Sequence, residues 1–191
     1  MSSNRVYEKD KIATYARILF DSAMQEGGEQ AVIQARNEIR FLREAVLSNV
    51  KLTRALKDES YTDEQRQELV YELLSGYHPA VVATMSTMTL RKQSTDVHGV
   101  RDAYENLILE ELGLVVVDVR TVVELDEELR NQIKDKASKD LGVRCELNEI
   151  IDPDILGGII MSTRDIRLDS SFTTLLDRTR TTLKSTDGGE C

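Results

Sequence analysis

Two histidines and two cysteines are the side chains here best suited to hold a metal ion or to act as a nucleophile. A zinc site draws on several such ligands at characteristic spacing. His78 stands directly before Pro79, and His98 lies near the start of another predicted helix. Neither has a cysteine or a second histidine at ligand spacing. Cys145 and Cys191 lie far apart, whereas a secreted disulfide scaffold of this length carries more cysteines. Both are expected to be free thiols in a reducing compartment, with Cys145 an inward-facing core residue. Gly157-Gly158 lacks the glycine spacing and the Lys-Ser/Thr of a P-loop, and lacks the GxGxxG pattern of dinucleotide sites. Adjacent glycines in a strand more often mark a bulge or close backbone packing. There is no nucleophile elbow. The many carboxylates fall on polar helix faces, where they solvate and pair. No catalytic residue, no cofactor site and no metal site is therefore expected.

Charge narrows the partners. The 191 residues carry 25 Lys/Arg against 34 Asp/Glu, a net charge of -9. The stretch before Gly113 holds 14 against 18 and the remainder 11 against 16, so the deficit divides into -4 and -5 and neither part is basic. Nucleic-acid binding needs clustered cations to displace counterions from phosphates, and the Arg91-Lys92 pair is too small for that. A protein partner is expected, with no nucleic acid. The N-terminus, Met1 to Asp10, has no apolar signal core. The strongly apolar run Leu114 to Val117 ends at Asp118, far short of the roughly 20 residues a spanning helix needs, so no membrane span is expected.

The elements show where these side chains would stand. Ile12, Tyr15, Ala16, Leu19, Phe20, Ala23 and Met24 recur at steps of three and four, a single helix face, and Gly27-Gly28 ends that helix. Val32, Ala35, Ile39, Leu42 and Val46 form a second stripe between faces rich in Arg and Glu. A short third segment carries Leu52, Ala55 and Leu56. Thr62 to Gln65 reads as a capping box opening a fourth helix with Leu69, Val70, Leu73 and Leu74. Pro79 suits the first turn of a fifth, with Val82, Met85 and Met88. Ser94, Thr95 and Asp96 offer a cap for a sixth, with Val100, Ala103, Tyr104 and Leu107. At Gly113 the period changes to two: Val115, Val117, Val119, Thr121, Val123 and Leu125 alternate with Asp118, Arg120 and Glu124, a strand with one buried face. Asp126 caps a helix with Leu129, Ile133, Ala137 and Leu141, which Gly142 stops. Val143, Cys145 and Leu147 alternate again. A turn at Asp152-Pro153-Asp154 leads to a strand over Ile155 to Thr163, a brief strand over Ile166 to Leu168, and a last helix with Phe172, Leu175, Leu176, Thr179 and Leu183. The expected fold class is mixed: an N-terminal all-α six-helix bundle over residues 1–112, a small α+β domain over 113–184, and a disordered tail over 185–191.

Three local strings now gain meaning from their order. Thr14-Tyr15-Ala16-Arg17-Ile18-Leu19-Phe20-Asp21-Ser22-Ala23 resembles a Y-A-x-A-L-F-x-x-A opening helix. Ile151-Asp152-Pro153-Asp154-Ile155-Leu156-Gly157-Gly158-Ile159-Ile160 is similar to a D-P-x-x-I-G-G strand signature. Arg167-Leu168-Asp169-Ser170-Ser171, followed by Leu175 and Leu176, resembles a closing D-x-S-x-x-x-x-L segment. Together they resemble the delta subunit of bacterial F-type ATP synthases, the counterpart of the mitochondrial oligomycin sensitivity conferral protein, over nearly the whole chain. The sequence departs from that pattern in a more polar fifth helix, Met85 to Leu90, in Arg91-Lys92 where a Gly-Arg pair often follows, and in the tail ending at Cys191.

The resemblance implies a mechanical, non-catalytic function: a stator subunit joining the catalytic head to the peripheral stalk during ATP synthesis, at the cytoplasmic face of the bacterial cell membrane. It implies that the helical bundle binds the N-terminal helices of alpha subunits, and that the second domain holds the b subunits. It places the partner groove between the first and fifth helices, with outward members of the stripes around Tyr15, Leu19, Val82 and Met85 expected to meet the partner. An unrelated helical adaptor with an α+β interaction module would share the periodicities but not the three strings in order.

Overall fold

The computed structural model describes residues 2–49, 54, 61–164 and 166–171. The chain divides into two compact units, Met1–Gly113 and Leu114–Cys191.

The first unit is helical. Helix α1 spans Ser2–Ser48 and is broken inside by non-helical backbone at Gly27 and Gly28. Helix α2 spans Asp63–Leu73, α3 Pro79–Leu90 and α4 Val97–Leu112, the last preceded by a 3-10 turn over Ser94–Asp96. The six-helix bundle is thus corrected: four α-helices stand among the described residues of this unit. The non-helical backbone at Gly27 and Gly28 kinks α1 where the sequence placed the end of its first helix, and the predicted segment with Leu52, Ala55 and Leu56 lies outside the described residues. Local chemistry sets the other starts. The Thr62 hydroxyl accepts from the Gln65 N–H, and the Gln65 side chain accepts from the Thr62 N–H, the reciprocal cap read from the sequence. Pro79 occupies the first turn of α3, where its missing N–H leaves no bond unmade.

Helix α1 packs along α4 and against α3. Ala16, Leu19, Ala23, Val32, Ala35 and Ile39 of α1 and Val100, Tyr104 and Ile108 of α4 are buried. Each large aliphatic side chain buried in this way stabilises by about 1.5–3 kcal/mol. Two polar groups inside the core find partners there. The Tyr104 hydroxyl donates to the Val32 carbonyl at 3.1 Å, and its ring meets Phe20 edge-on. Arg36, 1% exposed, pairs with Glu105 at 2.7 Å, as a buried guanidinium must.

The second unit is a four-stranded mixed sheet with one described helix. Strand β1 (Leu114–Thr121) lies between β2 (Arg144–Ile151) and β3 (Gly158–Ser162), with β4 (Arg167–Ser171) outside β3. β1 and β2 run parallel, so their connection must cross over, and α5 (Glu127–Leu141) is that crossover. β3 is antiparallel to both β1 and β4. Asp126 caps α5 by accepting from the Leu129 N–H at 2.7 Å. Gly142 ends the helix at φ 70, a left-handed conformation that disfavours other residues. Val117, Val119, Leu125, Ile133 and Cys145 form the core between sheet and helix.

Three sequence readings change here. Leu114, Val116 and Asp118, on the other face of β1, are buried as well, because β1 is an interior strand. The alternation running through Val123 does not continue the strand: β1 ends at Thr121, and Val123 is 70% exposed. The third strand starts at Gly158, not Ile155, because Gly157 and Gly158 at φ 131 and 86 hold a bend that L side chains rarely adopt. The predicted last helix and tail lie outside the described residues.

Candidate functional site

The sequence placed its partner residues on the first helix and on the helix opened by Pro79, and these helices, α1 and α3, pack together. Tyr15, Leu19 and Met85 are buried, while Val82 is half-buried. Three of the four are therefore core residues rather than outward-facing ones, and Val82 alone keeps some exposed surface. Around them α1 turns Ile18 outward, 54% exposed, and α3 turns out Ala83 and Thr87. Periodicity identified the stripes but not which side of each faces water.

Polar contacts fix this part of α1 to the segment that follows α3. The Tyr15 hydroxyl donates to Gln93 Oε1 at 2.8 Å and accepts from Arg91 Nη1 at 3.4 Å. Lys11 pairs with Asp96 at 2.6 Å, and the hydrogen bond to that carboxylate raises the ammonium pKa above its ordinary value. The Arg91-Lys92 departure thus has a local role: Arg91 braces Tyr15. The polar fifth helix is also partly explained. Thr84 Oγ1 donates back to the Ala80 carbonyl at 2.8 Å, and Ser86 Oγ accepts from Gln67 at 3.4 Å. Among the described residues the buried Thr89 hydroxyl has no hydrogen-bond partner, and an unpaired buried hydroxyl costs about 1–3 kcal/mol.

Of the residues that suggested chemistry, His78 and Cys145 hold structure. His78 caps α3: its Nδ1 accepts from the Ala80 N–H at 3.3 Å, and its backbone N–H donates to Glu38 at 2.7 Å. His98 is exposed, 3.8 Å from Asp102. Cys145 is buried, and its backbone N–H donates to Ser138 Oγ at 3.1 Å. Among the described residues no group of three or more His, Cys, Asp or Glu is placed to hold a metal ion, and no helix is long and apolar enough to cross a membrane.

The described chain is thus a helical unit followed by a mixed-sheet unit. The ATP synthase delta (OSCP) subunit family model matches residues 12–183, and the chain belongs to that family. A relative described as ATP synthase subunit delta, from Rhodopirellula baltica, is 32% identical over 86% of this chain and 72% of its own length. Another so described, from Symbiobacterium thermophilum, is 26% identical over 86% of this chain and 87% of its own. A chain in the cryo-EM structure of the Toxoplasma gondii mitochondrial ATP synthase hexamer has a TM-score of 0.50 at 16% identity, covering 90% of this chain and 96% of that one, which supports the fold. The protein is accordingly a non-catalytic stator component linking the catalytic head to the peripheral stalk in ATP synthesis and proton transport.

Proposed function

We propose that the two units divide the stator's work. Residues 1–112 take the N-terminal helices of alpha subunits, and residues 113–184 hold the b subunits. The protein would act at the cytoplasmic face of the bacterial membrane, peripheral to it through the complex. The observation that carries this reading is that each unit closes its own core: α1 on α4 in one, α5 on the sheet in the other. Rotation of the central stalk exerts torque on the head, and a fixed outer stalk must resist it. Two sound bodies with lasting helix-in-groove contacts meet that need; a reactive group does not. The alpha-subunit helix would lie between α1 and α3 and touch Val82 directly, while Tyr15, Leu19 and Met85 belong to the core of the unit.

Adding a peptide that copies the alpha-subunit N-terminus to the intact, isotope-labelled chain tests the first half. The largest NMR shifts are expected in α1 and α3, and largest shifts beyond Gly113 would overturn the placement. The second half is tested by titrating the intact chain with the soluble part of the b subunits, where no binding would overturn the stalk role.

A further inference from the structure

Of the large aliphatic side chains exposed in the second unit, three gather at one end of the sheet: Val123 is 70% exposed, Ile151 47% and Leu156 71%, while Leu129 stands on α5 and Ile166 and Leu168 at β4. The ladder brings Val123, Ile151 and Leu156 to that end. Thr121, the last residue of β1, lies opposite Ile151 of β2 and Ile159 of β3. The chain therefore leaves β1 towards Val123, leaves β2 at Ile151 and enters β3 after Leu156, all at the same end. Hydrogen bonds hold these segments. Thr121 Oγ1 donates to the Val123 carbonyl at 2.7 Å, the Asp152 N–H donates to the Thr121 carbonyl at 2.8 Å, and the Asp154 N–H donates to Asp152 Oδ1 at 3.1 Å. Single exposed aliphatic side chains need no explanation, but several gathered at one end of a sheet mark a candidate interaction surface.

The most exposed charges at this end are acidic. Glu124, Glu127, Glu128 and Asp154 are exposed around the aliphatic group. The nearby cations are engaged: Arg120 pairs with Asp152 at 3.4 Å, and Arg130 pairs with Glu149. Glu127 and Glu124 lie close enough to Arg130 to add to the effect of Glu149 in raising its pKa. An apolar partner surface flanked by cations complements such a rim, and one flanked by carboxylates is repelled.

We infer that this end of the sheet seats the stalk partner through a segment whose aliphatic side chains are flanked by Lys and Arg. The inference rests on the stalk role proposed for this unit. A second apolar surface is the concavity between α5 and β3–β4, lined by Ile133, Ala137, Met161 and Leu168. Its charged residues, Lys136 and Asp140, are of opposite sign, so it selects no charge.

Calorimetric titration of the full chain with the soluble part of the b subunits decides between these surfaces. Val123→Ser with Leu156→Ser is expected to weaken binding by about tenfold or more, and Leu168→Ser by less than about twofold. Both exposed-site variants should melt like the parent. Glu124→Lys with Asp154→Lys should weaken binding at low salt, with the difference shrinking as salt rises. Parental affinity in the Val123/Leu156 variant, or in the Glu124/Asp154 variant at low salt, would overturn the inference and leave the stalk role standing. Failure of the parent to bind the b subunits, while it still binds the catalytic head, would instead overturn the stalk role.

Discussion

At the scale of single residues, buried polar groups give the sharpest expectations. Glu105 faces both Arg36 and Arg101, at 2.7 and 2.9 Å. Removing one partner of a buried pair strands the other charge. Glu105→Ala should therefore destabilise the first unit by about 3–5 kcal/mol in denaturant titration. Tyr104 responds to pH. Burial, and the Glu38 charge after it, push its phenol pKa well above the ordinary value. Folding therefore favours the protonated phenol, and its contribution is present below about pH 10 and lost as pH rises beyond the unfolded value. Tyr104→Phe should cost about 1 kcal/mol at neutral pH through the lost bond to Val32, and should flatten the decline in stability above pH 10 relative to the parent. An unchanged slope would count against the buried phenol. The sequence placed Tyr104 on the correct stripe but gave no hint of the Arg36–Glu105 pair, because 69 residues separate the partners.

At the scale of elements, local chemistry was legible and position in the sheet was not. Asp126 and Gly142 bracket α5 as read, because a side-chain cap and a left-handed stop are written into neighbouring residues. Gly142→Ala should destabilise the second unit by about 1–2 kcal/mol, since alanine must adopt the left-handed conformation. A thermal melt of the intact chain checks this, and no change would mean that the helix ends differently. The burial of Leu114, Val116 and Asp118 was not legible, because an interior position in the order β2-β1-β3-β4 is not written into β1 itself. Val123 was misplaced for a related reason. Sequence alternation runs on through it, but the pairing partners stop at Thr121, whose hydroxyl bonds the Val123 carbonyl instead. The candidate site divides in the same way: its helices were legible, and the burial of Tyr15, Leu19 and Met85 was not, since it depends on how the stripes meet.

At the scale of the whole molecule, two units with separate cores should unfold as two events. Calorimetry of the intact chain should show two transitions, with the smaller second unit melting first, because a short chain buries a smaller share of its surface. Glu105→Ala should lower only one transition and Gly142→Ala only the other. Transitions that move together would mean that the units share their stability. The change of period at Gly113 carried this division in the sequence, since a core built on helical stripes and one built on alternation fill different frames.

The packing of α1 on α4 has a consequence for the chain while it is being made. Tyr104 reaches back 72 residues to Val32, so α1 leaves the ribosome with its apolar stripe bare and its main partner not yet translated. At roughly 5–20 residues per second, that 72-residue interval lasts roughly 4–14 s, far longer than a helix needs to form. Through that interval the nascent chain presents an amphipathic helix without its main cover, a target for chaperones and for neighbouring nascent chains alike. The first unit becomes safe only when α4 arrives, nearly at its last residue.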